Sequence, residues 1–119
     1  MANQIINKIG TSVIHIDTTA DFSLANLKAT TEATPVTASI IEIFWNIQPT
    51  GTIMIDRGGT DVYKLVGNAS GAAHFVGHVN YRSSGLVLRG TNTADIGATV
   101  ANFGAAGISV VTLIVKKTY

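Results

Sequence analysis

Apolar and polar positions alternate with a period of two along much of this chain, and no long stretch keeps apolar residues at the 3.6-residue spacing of an amphipathic helix. β-branched residues are frequent, and glycines interrupt the runs at short intervals, as expected of strands joined by turns. The pattern predicts strands near 9–16, 39–47, 52–57, 61–66, 72–82, 86–89, 95–100 and 108–117. Short strands at spacings of roughly 8 to 12 residues indicate an all-β fold, an antiparallel β-sandwich of jelly-roll or related Greek-key type.

The connections have physical reasons. Gly67 to Gly71, Ser83-Ser84-Gly85 and Gly90 to Thr93 combine residues that accept positive φ or bond to their own backbone. Asn102 to Gly107 reads as a longer Gly/Ala loop holding Phe103. Residues 18–37 are ambiguous: Asp21 to Leu27 is compatible with a short helix behind an Asp cap, whereas the following Thr-rich stretch with Pro35 reads as extended and irregular.

GTIMIDRGGTDVYKLVG, residues 51–67, is a hairpin around Gly58-Gly59. A two-residue loop would set Asp56 against Asp61, an unfavourable like-charge pair. A three-residue loop, Gly58-Gly59-Thr60, sets Arg57 opposite Asp61, Ile55 opposite Tyr63 and Ile53 opposite Leu65, and is the expected register.

Two strands break the simple alternation. In SIIEIFWNI, residues Ile41, Ile43, Trp45 and Ile47 fall on one face and Ile40, Glu42, Phe44 and Asn46 on the other. Toward the C-terminus, Ile108, Val110, Thr112 and Ile114 oppose Val111, Leu113 and Val115 before Lys116 and Lys117 end the run. Each strand therefore has large apolar groups on both faces. Such a strand is either covered on both sides or keeps one face for another chain.

Composition sharpens this point. The 119 residues suit a single β-sandwich domain spanning 1–119, with 1–8 as a candidate N-terminal arm. Only 13% of residues are charged, against roughly a quarter in a typical soluble domain. A surface built from Thr, Ser, Asn and Gly tolerates being covered by a neighbour, so the charge deficit points to assembly. The net charge of +1 comes from scattered Lys and Arg without a basic stripe, which argues against nucleic acid as a partner. The absence of cysteine excludes disulfides and thiolate metal sites. No segment approaches the eighteen or so apolar residues of a membrane-spanning helix, and MANQIINKIG lacks a secretory apolar run, so synthesis in a cytoplasm without export is expected.

Candidate chemistry is sparse. His74 and His78 have the spacing of a helical metal pair, but on a strand four residues span about 13 Å, too far to share an ion. They are read as solvent-facing or interface positions, which would make an assembly pH-sensitive, and His15, with no adjacent partner, as another strand position. Asp17, Asp21, Glu32, Glu42, Asp56, Asp61 and Asp95 form no close pair in sequence outside the hairpin, so no catalytic carboxylate couple is indicated. No serine sits in a nucleophile elbow, and neither glycine cluster opens a phosphate loop. Asn68-Ala69-Ser70 matches a glycosylation triplet but reads as a turn. Trp45, Tyr63 and Tyr81 are expected to pack inside the sandwich, the alternative being a sugar-stacking surface. No catalytic, cofactor or metal residue is assigned.

The stretch IFWNIQPTGTIMIDRGGTDVYKLVGNASG, followed by short strands and the ending GISVVTLIVKK, resembles small all-β virion proteins of tailed bacteriophages, in particular capsid decoration or cement proteins. The resemblance covers about the last two-thirds of the chain and consists of a pattern rather than a diagnostic motif. It implies a non-enzymatic structural protein on the outside of an icosahedral head, often a homotrimer, clamping the major capsid protein. No catalytic residues carry over. Two other readings remain open at the level of sequence: a carbohydrate-binding β-sandwich for host attachment, with aromatic rings exposed together, and a fibre or baseplate subunit.

Overall fold

The computed structural model of the chain describes residues 3–67, 73–81, 92–105 and 108–119. Nine strands are found among them: β1 (Gln4–Lys8), β2 (Thr11–Ile16), β3 (Ala20–Phe22), β4 (Thr37–Ile47), β5 (Thr52–Arg57), β6 (Thr60–Val66), β7 (Phe75–Asn80), β8 (Ile96–Ala101) and β9 (Val110–Thr118). They form a five-stranded sheet, β1-β2-β9-β4-β7, and a four-stranded sheet, β3-β8-β5-β6, with every pairing antiparallel. With β1 set aside, eight strands divide into two sheets of four, ordered first-eighth-third-sixth and second-seventh-fourth-fifth. That order is the jelly roll, two interlocked Greek keys.

The inward files of the two sheets make one core. Ile14, Ile16, Ile40, Ile43, Ile47, Val111, Leu113 and Val115 come from the larger sheet, and Ile53, Ile55, Leu65, Ile96 and Ala98 from the smaller. Phe22 adds to it from β3, and Leu27 and Phe103 close it from the connections.

Most expected strands are present within a few residues. β1 and β3 were not expected, and the strand expected at 86–89 lies outside the described residues, as does the Asn68-Ala69-Ser70 triplet. Residues 4–8 pair with Thr11 to His15 of β2, and Asn3 Oδ1 accepts from the Asp17 and Thr18 amides. In the ambiguous segment the helix is one 3₁₀ turn, Leu24–Leu27. Its cap is Ser23, in a capping box with Asn26, while Asp21 belongs to β3. The faces of β4 also differ from simple alternation, because the register shifts between Ile40 and Glu42. The extra residue at Ile41 turns Ile40 to the core side with Ile43.

The hairpin register is half as expected. Ile55 faces Tyr63 and Ile53 faces Leu65, but Asp56 faces Asp61 and Arg57 faces Thr60, with an irregularity between Ile55 and Asp56. Charge repulsion is outweighed by backbone needs. Gly58 and Gly59 take φ of 59° and 93°, the conformation of a tight two-residue turn, and Asp56 Oδ2 accepts from the Gly59 amide at 2.8 Å. Arg57, moreover, is not available to Asp61. It is buried in the inward file, donating from Nη1 to the Ala38 carbonyl at 2.7 Å and from Nη2 to the Ala94 carbonyl at 2.8 Å. Burial lowers its pKa, and the charge of Asp95 works in the opposite direction.

A second buried cation ties down the irregular segment. Lys117 occupies the inward file of β9 and donates from Nζ to Glu32 Oε1 and the Leu27 carbonyl, both at 2.6 Å, and to the Lys8 carbonyl at 2.8 Å. Glu32 also accepts from the amides of Gly10 at 2.7 Å and Ala29 at 2.9 Å. Burial alone would raise the Glu32 pKa; hydrogen bonds from Ala29, Lys117 and Gly10, with the lysine charge, outweigh it and bring the carboxyl from 4.5 down to about 2. A lowered carboxylate pKa contributes stability that is complete above the unfolded value and lost as pH falls through the folded one. Thermal unfolding followed from pH 7 to pH 2 should thus show this contribution intact above about 4.5 and declining toward 2. Glu32→Gln should lower stability at neutral pH and flatten that acid limb; a variant curve parallel to the wild type would contradict the assignment.

Candidate functional site

β9 and β4 lie side by side inside the five-stranded sheet, so both of their faces must be accounted for. The core takes Val111, Leu113 and Val115 from β9, each 0% exposed, and the complementary residues Val110, Thr112 and Ile114 point outward. Pairing continues these outward positions across the sheet in rows. Ile6, Val13 and Ile114 are consecutive neighbours on β1, β2 and β9. The next row is Gln4, His15, Thr112, Phe44 and His78, and the one beyond contains Val110, Asn46 and Val76. On the other flank lie Lys8, Thr11 and Lys116.

This face is unusually apolar for an outer surface. Ile6, Phe44 and Val76 are 47%, 39% and 65% exposed. Phe44, Trp45, Val76, Gly77, Val110 and Thr112 surround an open depression of about 200 Å³. The opposite outer face, on the four-stranded sheet, is different. Asp21 and Asp56 flank Gly97 in one row that continues to Asp61, and a Cβ at Gly97 would collide with carboxylate oxygens of both Asp21 and Asp56. Folding thus brings together two acids that the sequence keeps far apart. Lys64 and Thr99 are the neighbours of Met54 there, and Val66, 54% exposed, lies in the row beyond, opposite Thr52.

His15 and His78 lie on the apolar sheet, and His74 immediately precedes β7. His15 Nδ1 lies 2.9 Å from Thr112 Oγ1, and His74 Nδ1 lies 2.6 Å from Asn46 Oδ1. His78 stacks on Phe44, with ring centroids 4.2 Å apart and planes 9° apart, and its Nε2 is 3.7 Å from Glu42. Among the described residues no three His, Asp or Glu side chains converge as a metal site.

The aromatic residues considered for sugar stacking are half-buried and packed against the core. Trp45 tilts against Phe75 with centroids 5.5 Å apart, and Tyr63 meets Tyr81 edge-on at 6.2 Å. Burial and the Tyr81 hydroxyl raise the Tyr63 pKa. These rings do not form a shared exposed platform.

Comparison with protein families, characterised proteins and solved structures finds no match to this chain. The fold and the surface are therefore the observations from which function is argued.

Sequence reasoning found the two-faced strands but missed which polar residues enter the interior. Parity was an available signal: Lys117 follows Val111, Leu113 and Val115 at even spacing, and Arg57 follows Ile53 and Ile55. Trp45 depends on a different detail, since Gly77, its partner on β7, leaves the space its indole fills. Gly77→Val should force the indole to move and cost about 1–3 kcal/mol, as overpacking does. Chemical denaturation would measure this; unchanged stability would contradict the packing described.

Proposed function

We propose that this chain is a non-enzymatic structural subunit of a virion, of the capsid decoration or cement type that its sequence resembles, and that it works as a homo-oligomer bound to the major capsid protein. The observation carrying this reading is the outer face of the five-stranded sheet, where Ile6, Val13, Ile114, Phe44, Val110 and Val76 leave apolar surface that a solitary domain would ordinarily cover with charge. The low share of charged residues, 13%, agrees with a protein that spends its working life covered. Jelly rolls are used by viral capsid domains and also by lectins and cupins, so the fold is compatible with this reading by analogy without selecting it. The lectin-like alternative would call for aromatic rings exposed together, and Trp45, Tyr63 and Tyr81 are instead packed against the core.

On this proposal the contact energy is spread over many copies. Each contact is weak, and the repeated lattice supplies avidity. The test is cosedimentation of the purified protein with DNA-free heads of the parental phage. Saturable binding in fixed stoichiometry to the major capsid protein, together with a higher melting temperature of the heads, is expected. A stable monomer without affinity for shells would overturn the proposal.

A further inference from the structure

Resting on the reading that the apolar face is covered in an assembly, we propose that its occupant is the same face of a second copy of this chain, packed about a two-fold axis lying in the interface. The face carries two separate apolar features. One is the ridge Ile6, Val13 and Ile114, contiguous across β1, β2 and β9. The other is the depression of about 200 Å³ bordered by Phe44, Val76 and Val110. Thr112 and Val110, two and four residues from Ile114 on the same strand, both line the depression, so ridge and depression are displaced by about 7–13 Å along it.

Rotation by half a turn about an axis between the two features lays each ridge over the other copy's depression. Both contacts then form twice, the self-complementarity that defines an isologous interface. The resemblance to decoration proteins implies a trimer. In a ring, however, the donating and accepting patches must face different neighbours, and here they share one sheet surface, which favours the pair.

Area agrees, and the charges can be placed: Glu42, next to Ile114 in the ridge's row, is 7% exposed with Oε1 3.7 Å from His78 Nε2. Five strands at about 4.8 Å spacing and some 20–30 Å long present on the order of 500–700 Å² in projection, close to the roughly 800 Å² of accessible surface that each partner buries in a standard interface. Lys8 and Lys116 flank the ridge on the side away from the depression, so the two-fold places them at the rim, where charge costs little. The other sheet lacks this option. Its Asp21, Asp56 and Asp61 row sets three carboxylates on the face that a self-pairing would have to desolvate or place opposite cations such as Lys64.

Sedimentation equilibrium of the wild type, Val13→Lys, Val76→Lys and the opposite-sheet control Thr99→Lys tests the proposal, with circular dichroism confirming that each variant is folded and shell cosedimentation run in parallel. A wild-type dimer is expected, with the dissociation constant raised at least about ten-fold by Val13→Lys and by Val76→Lys, but not by Thr99→Lys. A wild-type monomer or trimer, or a dimer that neither variant weakens, overturns the two-fold pair. Should shell binding nonetheless be lost in Val13→Lys and Val76→Lys alone, the face contacts the shell directly and the broader functional reading stands. If neither self-association nor shell binding responds to these two variants, both readings fail.

Discussion

A strand turns successive side chains to opposite faces, and a two-sheet sandwich has only one interior. β9 and β4, neighbours inside the five-stranded sheet, carry apolar groups on both faces, so the core can accept only half of them. Val111, Leu113 and Val115 go in with Ile40, Ile43 and Ile47; Val110, Ile114 and Phe44 are left outside. The arrangement of the outer surface follows from that division. The conflict is milder on the smaller sheet, where Met54 on the outer face has Thr99 and Lys64 as neighbours and acids occupy the row on one side of it, with Val66, 54% exposed, in the row on the other.

The core itself is not wholly apolar, and its exceptions explain how the connections are held. Lys117, Arg57 and Ser12 each occupy a strand position that parity directs inward. Lys117 satisfies the Leu27 and Lys8 carbonyls and pairs with Glu32, while Ser12 Oγ lies 2.6 Å from Asn7 Oδ1 and 3.2 Å from the Leu27 carbonyl. Arg57 links the Ala38 carbonyl on β4 to Ala94 ahead of β8. Connections outside the sheets have backbone groups that no ladder satisfies, and an inward cation with several donors meets that need at one point. Such groups are costly to bury alone, so these residues specify where the segments dock as well as holding them.

Fold class was legible in the sequence because period-two alternation and glycine-rich turns are local signals. Thr52–Arg57 followed directly from them, whereas Ile55 opposite Tyr63, expected from a three-residue loop, is reached through a two-residue turn and the irregularity between Ile55 and Asp56. What escaped was decided between distant elements. Ala20–Phe22 is only three residues long and is a strand because β8 pairs with it. Asp56 faces Asp61 because the turn needs a carboxylate and Arg57 is engaged elsewhere in the fold. The displacement at Ile41 is likewise a property of the β4–β9 pairing, invisible in the run of isoleucines. For the candidate surface, the excess of apolar strand positions could be read in advance; the separation into ridge and depression required the strand order.

On the proposed reading, one outer face of this sandwich is hidden in the working protein and the other is not. The chain contains no cysteine, so a single introduced thiol reports on its own site. The most direct measurement compares the labelling rate of Val76→Cys, on the apolar face, with that of Thr99→Cys, on the polar face, using a water-soluble thiol reagent as the protein concentration is raised. Progressive protection at position 76 with unchanged reactivity at position 99 is the predicted result. Equal reactivity of both thiols at every concentration and in the presence of shells would contradict the account.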